Sequence, residues 1–242
     1  QLDRTEGGHA SMPPSFTAVG AMAFALERIR QNPFPASLRG TTGQFFDYVG
    51  PEMGVLNRIV LANRWLFSPL LISKLSEDPA ANAIIRTTAA PTLIEGGIRD
   101  NVLPLSVKAT VNVRILPGET IASTQAYLEK VIDDPSIKVS IADSDYGGDP
   151  PAPSSVESFG FQVLQKTIGE IFPGAVVAPS VSAGYTDSRH YRQVCEHIYR
   201  FSPLLLSLED LKGMHGVNER VSLENYERMI RFYRQLIRNS CQ

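Results

Sequence analysis

The sequence predicts an α/β fold in two parts: a ferredoxin-like βαββαβ domain, then half of an open α/β sheet. Three observations predict it. Apolar runs of period two and of period 3.6 take turns along the chain, in the order β, α, (insertion), β, β, α, β up to residue 142. The segment 143–155 holds two glycines, three prolines and three aspartates, the strongest breaker cluster in the chain. Beyond it the pattern changes to helices alternating with apolar strands. The expected domains are therefore 1–145, with a helical insertion at about 34–86, and 146–242.

The first strand lies within residues 1–5, ahead of the breaker Gly7-Gly8. Thr17 is an N-cap for a helix over 17–30, with Val19, Met22, Ala23, Leu26 and Ile29 as its apolar stripe; Pro33 and Pro35 end it. Aromatic-rich residues 34–86 follow, with a helix over 55–74 interrupted near Pro69. Strands are predicted over 87–94 and 105–116, a helix over 119–132 and a short strand over 137–142. The second part reads as a helix over 156–172, strands over 176–181 and 198–206, and a last helix capped by Ser222. Its predicted buried face is Tyr226, Met229, Ile230, Tyr233, Leu236 and Ile237.

With 43% apolar and 20% charged residues the chain reads as an ordinary globular protein with ample core. A formal net charge of -2 gives no reason to expect nucleic acid or an acidic membrane as partner. The longest uncharged apolar run, 65–72, is far too short to span a bilayer. Cys195 and Cys241 suit neither a disulfide framework nor a metal clip; one is expected to be a packed thiol, the other to lie near the C-terminus. The chain starts at Gln1, in what reads like the end of a strand, so it is expected to be a piece of a longer protein, and no compartment can be read from it.

Five stretches could carry chemistry; one of them, Ile94 to Pro104, reads by itself as a hairpin-like turn. His215, flanked by Gly213 and Gly216 in a strand-to-helix loop with Asn218 and Glu219, suits a metal ligand, but a catalytic zinc wants at least three protein ligands. His9, after Gly7-Gly8, is either an exposed turn residue or a donor to a carbonyl oxygen becoming an oxyanion. Asn112 and Arg114 share one face of their strand, where an arginine is either a solvated edge or a clamp for a carboxylate. Residues 182–191 follow an apolar strand with small residues whose N–H groups could meet an anion or a carbonyl; His190 there reads equally as structural.

Taken together and in this order, these stretches resemble the zinc-dependent aminoacylase and carboxypeptidase family. The motifs are Gly7-Gly8-His9-Ala10-Ser11-Met12-Pro13, Gly96-Gly97 through Asn101-Val102-Leu103-Pro104, Asn112-Val113-Arg114-Ile115-Leu116-Pro117-Gly118, Thr186-Asp187-Ser188-Arg189-His190-Tyr191 and His215-Gly216-Val217-Asn218-Glu219. The insertion and the Thr186–Tyr191 run look most like its Gly-X carboxypeptidase and N-fatty-acyl-amino-acid hydrolase branch.

The resemblance implies a catalytic α/β domain with two zinc ions and a ferredoxin-like lid inserted in its middle. It implies that His215 ligates zinc and that His9 polarises the scissile carbonyl, often across a dimer interface. It further implies that Asn101 and Arg114 hold the substrate carboxylate, and that Gly184 and Thr186 line the substrate pocket. Tyr185 stands where close relatives have a Gly-Gly-Thr run and would reshape that pocket. The family's His-x-Asp motif, its Glu-Glu pair and a further acidic ligand belong upstream of the lid, so this chain alone is expected to be inactive.

The implied substrate is a small peptide or N-acyl amino acid with a free carboxylate, hydrolysed by a homodimer joined through the lid, with no part for nucleic acid or membrane. An aminoacylase acting on N-acyl amino acids, and a non-catalytic dimerisation or interaction module, are the alternatives.

Overall fold

The computed structural model describes residues 1–3, 7–142, 148–182, 186–207, 210, 213 and 216–241. The chain divides into two compact units: Gln1–Leu38 with Ser68–Ala152, and Arg39–Phe67 with Pro153–Gln242.

In the first unit, β1 (Leu2–Asp3), β3 (Thr88–Gly96) and β5 (Ser106–Arg114) form an antiparallel sheet in the order β1-β5-β3. Where the sequence predicts a strand over 137–142, one rung forms instead: Gln1 and Lys138 exchange backbone hydrogen bonds, each 2.9 Å. That rung sits where a fourth ferredoxin-like strand would pair with the first. A separate ribbon pairs β2 (Gly8–His9) with β4 (Val102–Leu103).

Two helices cover one face of the sheet, α1 (Ala18–Gln31) and α6 (Ile121–Ile132). Thr17 caps α1 as predicted, accepting from the Gly20 N–H. The buried stripe is Ala18, Ala21, Met22, Ala25 and Ile29; Val19 and Ala23 face out. Small alanines let α1 lie close to the sheet, so the predicted stripe is rotated. Val107, Leu128, Ile132 and Ile137 complete this core. The Arg28 guanidinium donates to the carbonyls of Ile132 and Asp133, satisfying the C-terminal end of α6. Gly96 is required by close approach, since a Cβ there would lie 2.9 Å from Val107 Cγ2.

The second unit contains α2 (Gly40–Val49), α3 (Val55–Ala62), α7 (Phe159–Ile171) and α8 (Leu223–Ser240). α4 (Arg64–Glu77) follows α3, and α5 (Pro79–Ile85) leads into β3. The predicted interruption at Pro69 falls instead at Asn63, whose side-chain amide donates to the Ile59 carbonyl and closes α3; Pro69 lies inside α4. Residues 34–86, expected as one insertion in the lid, are shared between the units. Tyr48 of α2 meets Phe161 of α7 edge-on, at 6.2 Å between ring centroids.

α7 and α8 pack through Ile168, Phe172 and Phe232. Asn239 donates to Thr167 and Glu170, so the buried amide is paired. Ser222 caps α8 as predicted, but Tyr226, Ile230, Tyr233 and Ile237 are exposed: α7 covers the Phe232–Asn239 side, and Asn225 is buried against Leu205. The strands predicted over 176–181 and 198–206 do not form, because neither has a neighbouring strand among the described residues. Side chains take the place of one: Ser154 brackets the backbone of Ile198, and Asn225 both donates to and accepts from Leu205. Cys195, expected to be packed, is exposed, as is Cys241.

Candidate functional site

The β2–β4 ribbon brings together two residues far apart in sequence. His9 pairs with Val102, and the Ala10 N–H donates to the Asn101 carbonyl at 3.0 Å. Gly97, at φ +77°, starts the turn that carries Asn101 to this position. His9 is exposed, and its Nδ1 accepts from the Ser11 backbone N–H at 3.2 Å, with the Ser11 hydroxyl at 2.9 Å. A nitrogen that accepts from a backbone N–H carries a lone pair, so neutral His9 bears its proton on Nε2. That places an N–H donor on the outer edge of the ring, the form a carbonyl-polarising residue needs.

Arg114 closes β5, paired across the sheet with Thr88. Val107, Ala109, Val111 and Val113 turn towards the helical layer, while Lys108, Asn112 and Arg114 are exposed on the opposite face. The alternation predicted for this strand is therefore present. No ion pair of Arg114 is found among the described residues. The ribbon joins β5 at its Ser106 end through Pro104-Leu105, and Arg114 closes the other end. About 26 Å of strand separates Ser106 from Arg114, at ~3.3 Å per residue.

Thr186 belongs to the other unit. It caps the 3-10 turn Asp187–Gln193, and its hydroxyl lies 2.7 Å from that of Ser188, which in turn accepts from Arg200. His190 is exposed, with Nε2 accepting from the Arg189 guanidinium. Gly184 and His215 lie outside the described residues. Among the described residues no group of three or more His, Cys, Asp or Glu could hold a metal ion, so they do not supply a zinc site. The sequence reading missed the β2–β4 pairing, which sets His9 against Val102 and Ala10 against Asn101.

Residues 5–139 match the family described as the peptidase dimerisation domain. Over 96% of its length the chain is 41% identical to an N-fatty-acyl-amino acid synthase/hydrolase of Xenopus tropicalis, of which it covers 45%. Over 97% it is 39% identical to a probable carboxypeptidase S-like protein of Dictyostelium discoideum, of which it covers 44%. The chain thus spans about half the length of the curated relatives it matches. Among solved structures it resembles an M20 family metallo-carboxypeptidase from Sulfolobus solfataricus, at a TM-score of 0.51 and 15% identity over 98% of this chain and 59% of that one. That likeness is one of fold.

Proposed function

We propose, for a chain that belongs to the M20 metallopeptidase family and carries its dimerisation domain, that it is the lid and part of the catalytic domain of an amide hydrolase. The hydrolase acts on peptides or N-acyl amino acids that end in a free carboxylate, and the longer branch relatives favour N-acyl amino acids. The observation that carries this reading is the β2–β4 ribbon, which holds an outward His9 Nε2–H and ties Ala10 to the Asn101 backbone.

His9 donates to the substrate carbonyl as it becomes an oxyanion, and Asn101 orients the substrate beside it. Arg114 pairs with the substrate carboxylate; a guanidinium offers the planar fork that a carboxylate accepts in bidentate fashion. One small substrate cannot lie against both ends of a strand about 26 Å long. The complete site therefore takes His9 and Asn101 from one lid and Arg114 from the other. The exposed face of α1 and the open edge of β3 are the surfaces through which two lids join in a homodimer. Gly184 and Thr186 line the pocket.

Metal chemistry in the longer protein would supply an activated water. His215 is the ligand this chain contributes, and one ligand does not hold zinc tightly when about four are needed. Elemental analysis of the purified chain is expected to find far less than one zinc per chain, and the chain alone is expected to hydrolyse nothing. The longer protein is expected to hold two zinc ions and to release free amino acid from N-acyl amino acids. Two tightly held zinc ions on this chain alone, or a longer protein without hydrolysis, would contradict the reading.

A further inference from the structure

The sheet of the first unit ends at a residue on which the proposed site depends. Arg114 is the last residue of β5 and Thr88 the first of β3, and the ladder between the two strands stops at this pair. Strand ends open more readily than strand centres. A carboxylate clamp has to stay within about 0.5 Å of its productive place. An arginine at the end of a ladder therefore needs a second hold on its strand.

Thr87, which directly precedes β3, supplies one and is only 1% exposed. Its Oγ1 accepts the Leu116 N–H at 2.9 Å and donates its own proton to Glu119 Oε2 at 2.6 Å. Leu116 lies two residues beyond Arg114, past the last rung between the strands. The hydroxyl thus gives the Leu116 amide the partner that the backbone of β3 does not.

The local sequence explains how Glu119 reaches Thr87. Leu116 to Glu119 form a tight turn, closed by the Glu119 N–H donating to the Leu116 carbonyl at 3.1 Å. Pro117 presets the second position of that turn, and Gly118, at φ +99°, fills the third. Thr120, the next residue, caps α6 by accepting from the Ser123 N–H, while its own N–H donates to the Ser123 hydroxyl. Glu119 is held between a closed turn and a capped helix, with its carboxylate turned back onto Thr87.

We propose that Thr87 and Glu119 are positioning residues for Arg114. The Thr87 hydroxyl latches the end of β5 to β3, and the Glu119 carboxylate orients that hydroxyl so that a lone pair faces the Leu116 N–H. Neither residue touches the substrate. The latch rests on the reading of Arg114 as the clamp for a substrate carboxylate.

The test measures kcat/KM of the longer hydrolase on N-acyl amino acids with a free carboxylate and on the same compounds amidated. Thr87→Val keeps the shape and removes the hydroxyl. It is expected to lose about tenfold on free carboxylates, below the roughly hundredfold of a misplacement of about 1 Å, and nothing on amidated ones. Thr87→Ser is expected to restore the activity. Glu119→Gln keeps an acceptor and should stay within about twofold, whereas Glu119→Ala should lose roughly threefold, on free carboxylates alone. Added to Arg114→Ala, Thr87→Val should cost nothing more on free carboxylates, because both act through one contact. In the present chain, the Leu116 N–H is expected to exchange about tenfold faster in Thr87→Val.

Equal losses on free and amidated substrates would overturn the latch, as would unchanged exchange at Leu116. Full activity of Thr87→Val, with Arg114→Ala losing on free carboxylates alone, would overturn the latch and leave the clamp standing. Arg114→Ala without that selective loss would overturn the clamp and the latch with it. Glu119→Ala, at a half-buried position, carries the same comparison if Thr87→Val does not fold.

Discussion

Replacing Arg114 with lysine in the longer hydrolase is expected to weaken catalysis almost as much as replacing it with alanine. Lysine keeps the charge but loses the two parallel N–H groups that a carboxylate accepts. The loss in kcat/KM should be roughly 2–5 kcal/mol, the scale of truncating one partner of a charge-assisted pair. Arg114 is exposed at the end of β5, with its neighbours Val111 and Val113 packed on the other face, so neither change should lower the melting temperature appreciably. The loss should largely vanish on substrates whose carboxylate is amidated, because these never used the contact. Equal losses on free and amidated substrates would show that Arg114 is structural.

His9→Ala should act on a different parameter. A donor aimed at a developing oxyanion contributes in the transition state, so kcat should fall by about 10²–10³ with KM nearly unchanged. Ser11→Ala should cost far less. The backbone N–H of Ser11 still donates to Nδ1 and keeps the proton on Nε2, while only the hydroxyl contact is lost. A rise in KM with kcat intact would place His9 in ground-state binding, and no effect at all would leave it an exposed turn residue.

What was legible in the sequence was local. The cap at Thr17 and the prolines after residue 32 framed α1, and the alternation of Val111 to Ile115 showed which way Arg114 points. What escaped it depended on partners distant in the chain. The α8 stripe Tyr226, Ile230, Tyr233, Ile237 has the spacing of a buried face, yet α7 packs against the Phe232 side. Periodicity locates an apolar face without saying whether a neighbour covers it. Residues 176–181 and 198–206 have strand composition but no strand to pair with among the described residues, so their backbone bonds come from elsewhere.

The site was legible in the same uneven way. The motifs pointed to His9, Asn101 and Arg114 as residue types suited to one substrate, but only the β2–β4 pairing puts the first two together. The third lies at the far end of β5 from the point where the ribbon joins it. For Gly184 and His215 the reading still stands on the motifs alone, since both lie outside the described residues.

The claim that one site draws on two lids has a direct measurement. His9→Ala and Arg114→Ala versions of the longer protein, each inactive alone, are unfolded together, refolded and assayed. If the residues come from different subunits, each mixed dimer has one site with both substitutions and one site with neither. Random pairing should then restore about a quarter of the unsubstituted activity. If both residues serve the same site from the same lid, every site in the mixture lacks one of them. Activity no higher than that of either variant alone would contradict the account.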